Sequence, residues 1–207
     1  MMIPEKNLRE LIADEAARLI YEEGYRDYRL AKQKASARLG AAGLGKHQPG
    51  NDEVEQALHD YIRLLDPEPQ AARLAQHRAV ALDAMEFLQD FRPMLTGAAL
   101  EGTTGPHSAV TLLLTANRAE DVIFLLQDHN IPFQIHERKL RFGKKLEYYP
   151  LLRLYADEVE VELLILPDED RSAGAPLSAI TGRSTRRADR KKLLELVREQ
   201  QKQLTDE

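Results

Sequence analysis

Two glutamates spaced two residues apart, Glu160 and Glu162, lie in the alternating run VEVELLIL. In an extended strand such residues point to one face, and paired carboxylates offer the hard oxygens that a divalent cation takes. The same spacing suits the exposed side of an edge strand, and that is the expected placement of the pair. A second candidate is the loop LSAITGRSTRRAD, Leu177 to Asp189. Gly182, Arg183, Ser184, Arg186 and Arg187 supply backbone N–H groups and guanidinium donors, the chemistry of a phosphate or carboxylate site. Ser184 or Thr185 also fits the N-cap of the last helix, whose N-terminus would itself receive an anion. His107 and Ser108 are of the types that make a base and a nucleophile. Adjacent residues rarely face each other in that geometry, so they are read as loop polarity. His129 and His136 lack metal-ligand spacing. The chain has no Cys, which removes thiolate chemistry and disulfides.

The elements that must position these residues fall into two textures. Leu8, Leu11, Ile12, Ala16, Leu19 and Ile20 recur at helical spacing and stop at Gly24. A second helix is expected from about Tyr28 to Leu39, then the loop GAAGLGKHQPGN. Asn51 is expected to cap a third helix carrying Val54, Leu58 and Ile62. The prolines of DPEPQ break it, and a fourth helix carries Leu74, Ala81, Met85 and Leu88 toward Pro93. After Pro93, Ala109 to Thr115 reads as a short apolar strand. Asn117 and Glu120 resemble a capping box for a helix with Val122, Ile123, Leu125 and Leu126, ended by Asn130. IPFQIHE, KLRFG, YYPLLRLY and VEVELLIL follow as extended segments, then a loop rich in Pro, Gly and Ser, and a terminal helix. The expectation is an α+β protein: a helical domain over 1–92, then a small mixed sheet with flanking helices over 93–207.

The chain has 207 residues and a net charge of −5, which speaks against nonspecific nucleic-acid binding by the whole chain. The charge is uneven. Arg183 to Lys202 holds eight basic residues against three acidic ones, a solvated helix face or a phosphate or RNA contact. The charged N-terminal segment does not read as a secretory signal, and no apolar run reaches the ~20 residues of a membrane span. A cytoplasmic protein without membrane contact is expected.

Two resemblances add to this. AARLIYEEGYRDYRLAKQKASARLG resembles the opening of tetracycline-repressor-type regulators, although a glycine-rich loop stands where a recognition helix should follow. More extensively, LEGTTGPHSAVTLLL and the strands and helix after it, within Leu95 to Leu166, resemble the nucleotidyltransferase superfamily of DNA polymerase beta-like fold. The whole chain looks like a group of small uncharacterised bacterial proteins given that label. In the family a Gly-Ser turn precedes a strand bearing an Asp-x-Asp pair, and a later strand adds a third carboxylate. Together these hold Mg²⁺ against a triphosphate. The resemblance places Gly102 and Thr103 at the turn and Ser108 just before the strand. It places Ala109 and Thr111 at the two missing carboxylates and Glu162 at the third. It implies a nucleotidyltransferase-like module without its metal pair, binding a nucleotide, an RNA or a protein through Gly102, Thr103 and Ser108, to which the later loop adds Arg183 and Arg186 as candidate contacts. The alternatives are an atypical transferase in which Glu162 and a nearby carboxylate such as Glu160 act with Mg²⁺, and a helix-turn-helix regulator of DNA.

Overall fold

A computed structural model describes residues 7–25, 27–41, 47–65, 67–168, 175–177 and 184–205. Helix α1 spans Leu8–Glu23. Asn7 Oδ1 accepts from the Glu10 N–H at 3.0 Å while the Glu10 carboxylate accepts from the Asn7 N–H, so two donors that a helix start leaves free are satisfied reciprocally. The helix closes at Gly24. Helix α2, Tyr28–Arg38, is capped by Asp27, which accepts from the N–H groups of Arg29 and Leu30. Helix α3, Asn51–Leu65, buries Val54, Leu58 and Ile62, one stripe at four-residue spacing. Asn51 proves to be its first helical residue rather than its cap. The Glu53 carboxylate instead accepts from the Gly50 N–H, and Val54 N–H from α3 donates to the Gly50 carbonyl. These helices pack around Ile12, Ala16, Leu19, Ala31, Ala35 and Val54.

Packing divides the chain into two units, Met1–Ala71 with Gly105–His107, and Ala72–Thr104 with Ser108–Glu207. Helix α4, Pro67–Phe87, begins in the first and runs into the second. Its residues Val80, Ala81 and Met85 pack in the core of the sheet.

The second unit is built on five strands in the order β1-β2-β5-β4-β3: β1 Met94–Thr96, β2 Val110–Thr115, β3 Gln134–Phe142, β4 Lys145–Ala156 and β5 Val159–Leu166. Only β2 and β5 run parallel; the other neighbours are antiparallel. Between the strands lie the single-turn helix α5, Ala98–Glu101, and α6, Ala119–Asp128; α7, Arg190–Thr205, closes the chain. The architecture is α+β with a mixed sheet, as expected. One face, with Leu95, Leu112, Leu114, Leu152 and Leu163, packs against Met85, Val122, Leu126 and Leu193 of the helices. The other gathers Leu113, Phe142, Tyr149, Leu151, Leu164 and Leu166.

Three local expectations change. The α6 N-cap is Arg118, without a side-chain hydrogen bond, rather than Asn117; Arg118 pairs with Asp121 across the first turn. The α7 start is held by Asp189, whose Oδ1 accepts from the Lys192 N–H at 2.8 Å, while the Thr185 hydroxyl donates to the Pro176 carbonyl. A carboxylate therefore occupies the helix end that an anion would need. Finally, β5 is central rather than an edge, because β2 and β4 pair along both its sides. No described helix is long and apolar enough to cross a membrane.

Candidate functional site

Parallel pairing of β2 with β5 puts Thr111 directly beside Glu162, and β4 puts Arg153 on Glu162's other side. With the period of two along each strand, one face of the sheet then carries Thr96, Thr111, Glu160, Glu162 and Arg153 in adjacent rows. Arg138 of β3 reaches into this group. Its Nη2 donates to both Glu162 oxygens at 2.8 Å, and Arg153 Nη2 donates to Oε1 at 3.2 Å. Thr111 Oγ1 lies 3.4 Å from Oε2, a weak contact. Glu162 is only 3% exposed, whereas Arg138 is a third exposed. Arg153 Nε stands 3.0 Å from Glu160 Oε1, near enough for an ion pair but not aligned as a hydrogen bond. The expected solvent-facing charge pair is thus corrected to a partly buried network of two carboxylates and two guanidinium groups, in which Glu162 is the buried member. Glu162, buried on a central strand, is shut off from solvent, so its charge must be satisfied by the guanidinium groups beside it.

The site tests whether Mg²⁺ fits, and it does not. Mg²⁺ needs several hard oxygens free to close around it. Ala109 has none, Thr111 contributes one hydroxyl, and both oxygens of Glu162 are taken by Arg138. Among the described residues no cluster of three His, Asp or Glu side chains is arranged to hold a metal ion.

The glycine beside this face is Gly97, not Gly102. A Cβ on Gly97 would lie 3.9 Å from Thr111 Oγ1, whereas one on Gly102 would meet nothing within 4 Å. Gly97 follows β1 with φ 74° and ψ −154°, backbone essentially confined to glycine. Beside it, Thr96 pairs with Thr111, and the buried Thr96 hydroxyl has no hydrogen-bond partner among the described residues. Such an orphaned polar group calls for an explanation, and an unseen ligand or water is a common one.

The remaining candidates fall elsewhere. Gly102 ends α5 in a left-handed conformation, and its N–H and that of Thr103 both donate to the Ala98 carbonyl. The Ser108 carbonyl meets Nε2 of the buried His77 at 3.0 Å. Arg186 Nη1 donates to Glu101 at 2.7 Å, beside Gly102, and Ala188 exchanges two backbone hydrogen bonds with Leu95. Gly182 and Arg183 lie outside the described residues. His107 Nε2 contacts the Glu22 carbonyl at 3.0 Å rather than serving Ser108 as a base. His129 contacts the Leu125 carbonyl, and His136 the Gln134 side chain.

Sequence reasoning missed Thr96, Gly97, Arg138 and Arg153. One signal was present: Arg153 interrupts the apolar stretch of YYPLLRLY, where a charge in a central strand demands a partner. Neither a family model nor a curated protein matches this chain.

Proposed function

We propose that the chain is a nucleotidyltransferase-like protein that binds a nucleotide without transferring it. The observation that carries this is the Arg138 guanidinium seated across both oxygens of Glu162. In the family that the sequence resembles, positive charge at this face comes from metal ions bound by carboxylates. Here two carboxylates are missing, and the charge is covalently part of the protein. Among the described residues Arg138 engages only Nη2, leaving Nη1 and Nε as donors suited to a phosphate. The unpartnered Thr96 hydroxyl and the bare Gly97 backbone at the same face fit close approach by a ligand. The reading as an atypical transferase asks Glu160 and Glu162 to share a cation, but Arg153 already bridges the two.

The test is a thermal-shift titration with ATP, CTP, GTP and UTP, each with and without Mg²⁺. Saturation at a hundred times the dissociation constant stabilises the native state by about 2.7 kcal/mol. A shift that is the same with and without Mg²⁺ is expected. A shift that requires Mg²⁺ points to the active transferase, and no shift with any nucleotide removes the proposal in favour of an RNA or protein partner.

A further inference from the structure

On the helix-covered face of the sheet, away from the ion-pair network, a cavity of about 350 Å³ opens between α4, the end of α6 and the β4–β5 hairpin. Packed interiors leave few voids larger than a water molecule, and this volume lies within the range of small-ligand pockets. Ala84 and Leu88 of α4, Leu126 of α6, and Leu154, Val161 and Leu163 of the sheet form apolar walls. Polar character is confined to exposed residues: Asp83, Asp157 and Tyr155. Among the described lining residues none is basic.

The rim is built in advance. Asp157 and Glu158 form the two-residue turn of the hairpin with φ of 46° and 65°, the left-handed pair such a tight turn requires. Gln76 of α4 then donates to the Asp157 carbonyl at 3.1 Å, tying the turn to the helix. Asp157 is thereby held on the hairpin side of the pocket and Asp83 on the helix side.

We propose that this cavity binds a small molecule with an apolar body and a cationic head, an aryl- or alkylamine of about a dozen non-hydrogen atoms. The size follows from the volume at roughly 30 Å³ for each water-sized group. The head group follows from the sign of the rim: two carboxylates attract an ammonium and repel a carboxylate or phosphate.

Isothermal titration of the whole chain with 4-phenylbutylamine, 4-phenylbutanol and 4-phenylbutanoate tests this, because the three share a body and differ in head charge. The amine is expected to bind at least about tenfold more tightly than the carboxylate, with the alcohol between them. The double substitution Asp83→Asn with Asp157→Asn should reduce that ratio to below about threefold while the alcohol binds as before. Ala84→Phe should fill the cavity and abolish binding of all three. Asn tolerates the left-handed backbone at 157, so the exposed pair carries the test even where Ala84→Phe does not fold. Equal binding of amine and carboxylate, or no binding by any of the three, overturns the proposal.

Discussion

Replacing Arg138 by leucine removes the guanidinium that satisfies both oxygens of a carboxylate only 3% exposed. Stripping one partner from a fully buried ion pair costs about 3–5 kcal/mol, mostly because the other charge stays behind without compensation. Two features reduce that figure here. Arg138 is a third exposed, so solvent screens part of the interaction, and Arg153 keeps one bond to Oε1 at 3.2 Å. The expected loss is about 2–3 kcal/mol. Removing both charges with Arg138→Leu and Glu162→Leu should cost less than the two single substitutions added together, because no buried charge is left orphaned. The chain has no Trp, so urea unfolding is followed by far-UV circular dichroism. The midpoint should fall while the slope is unchanged, which marks a change in stability rather than in compactness. An Arg138→Leu protein within about 0.5 kcal/mol of wild type, or a double variant showing full additivity, refutes the reasoning.

Gly97→Ala should destabilise by about 1–3 kcal/mol, since φ 74° with ψ −154° is barely accessible to a residue with a Cβ; the melting temperature reads this directly. Asp189→Ala should cost about 1 kcal/mol by leaving the Lys192 N–H without its cap, measured by the same unfolding curve. Acid sensitivity in the helical unit should centre on Glu53. The Arg9 guanidinium, helped by the Gly50 N–H, pulls its carboxyl down to about 2. Because the folded value lies below the unfolded one, the stabilisation is present above about pH 4.5 and is lost as pH falls toward 2. Glu53→Gln should reduce the loss of stability over that window, leaving the part that Glu15 and Glu22 contribute, and an unchanged acid profile counts against the Arg9 pairing.

Helix existence was legible because it depends on local signals. The helical spacing of Leu8 to Ile20 and the stop at Gly24 marked α1 from sequence alone, and the stripe Val54, Leu58, Ile62 marks the buried side of α3, whereas the Asn7–Glu10 capping box emerged only with the structure. Caps were less legible where several polar residues compete: Asp189 rather than Ser184 or Thr185 holds α7, and Gly50 with Glu53 replaces Asn51 at α3.

The site divides along the same line. Composition excluded cysteine chemistry, and the period of two in VEVELLIL placed Glu160 and Glu162 on one face. Whether that face met solvent depended on strand order, which no local pattern encodes. Pairing β5 between β2 and β4 buried Glu162, and residues 24 and 9 positions away, Arg138 and Arg153, became its partners. The resemblance drew attention to Gly102, while tertiary packing set Gly97 beside Thr111. Side-chain direction is a property of a strand and can be read from spacing. The environment it points into belongs to the neighbouring strands, and only the assembled sheet decides it.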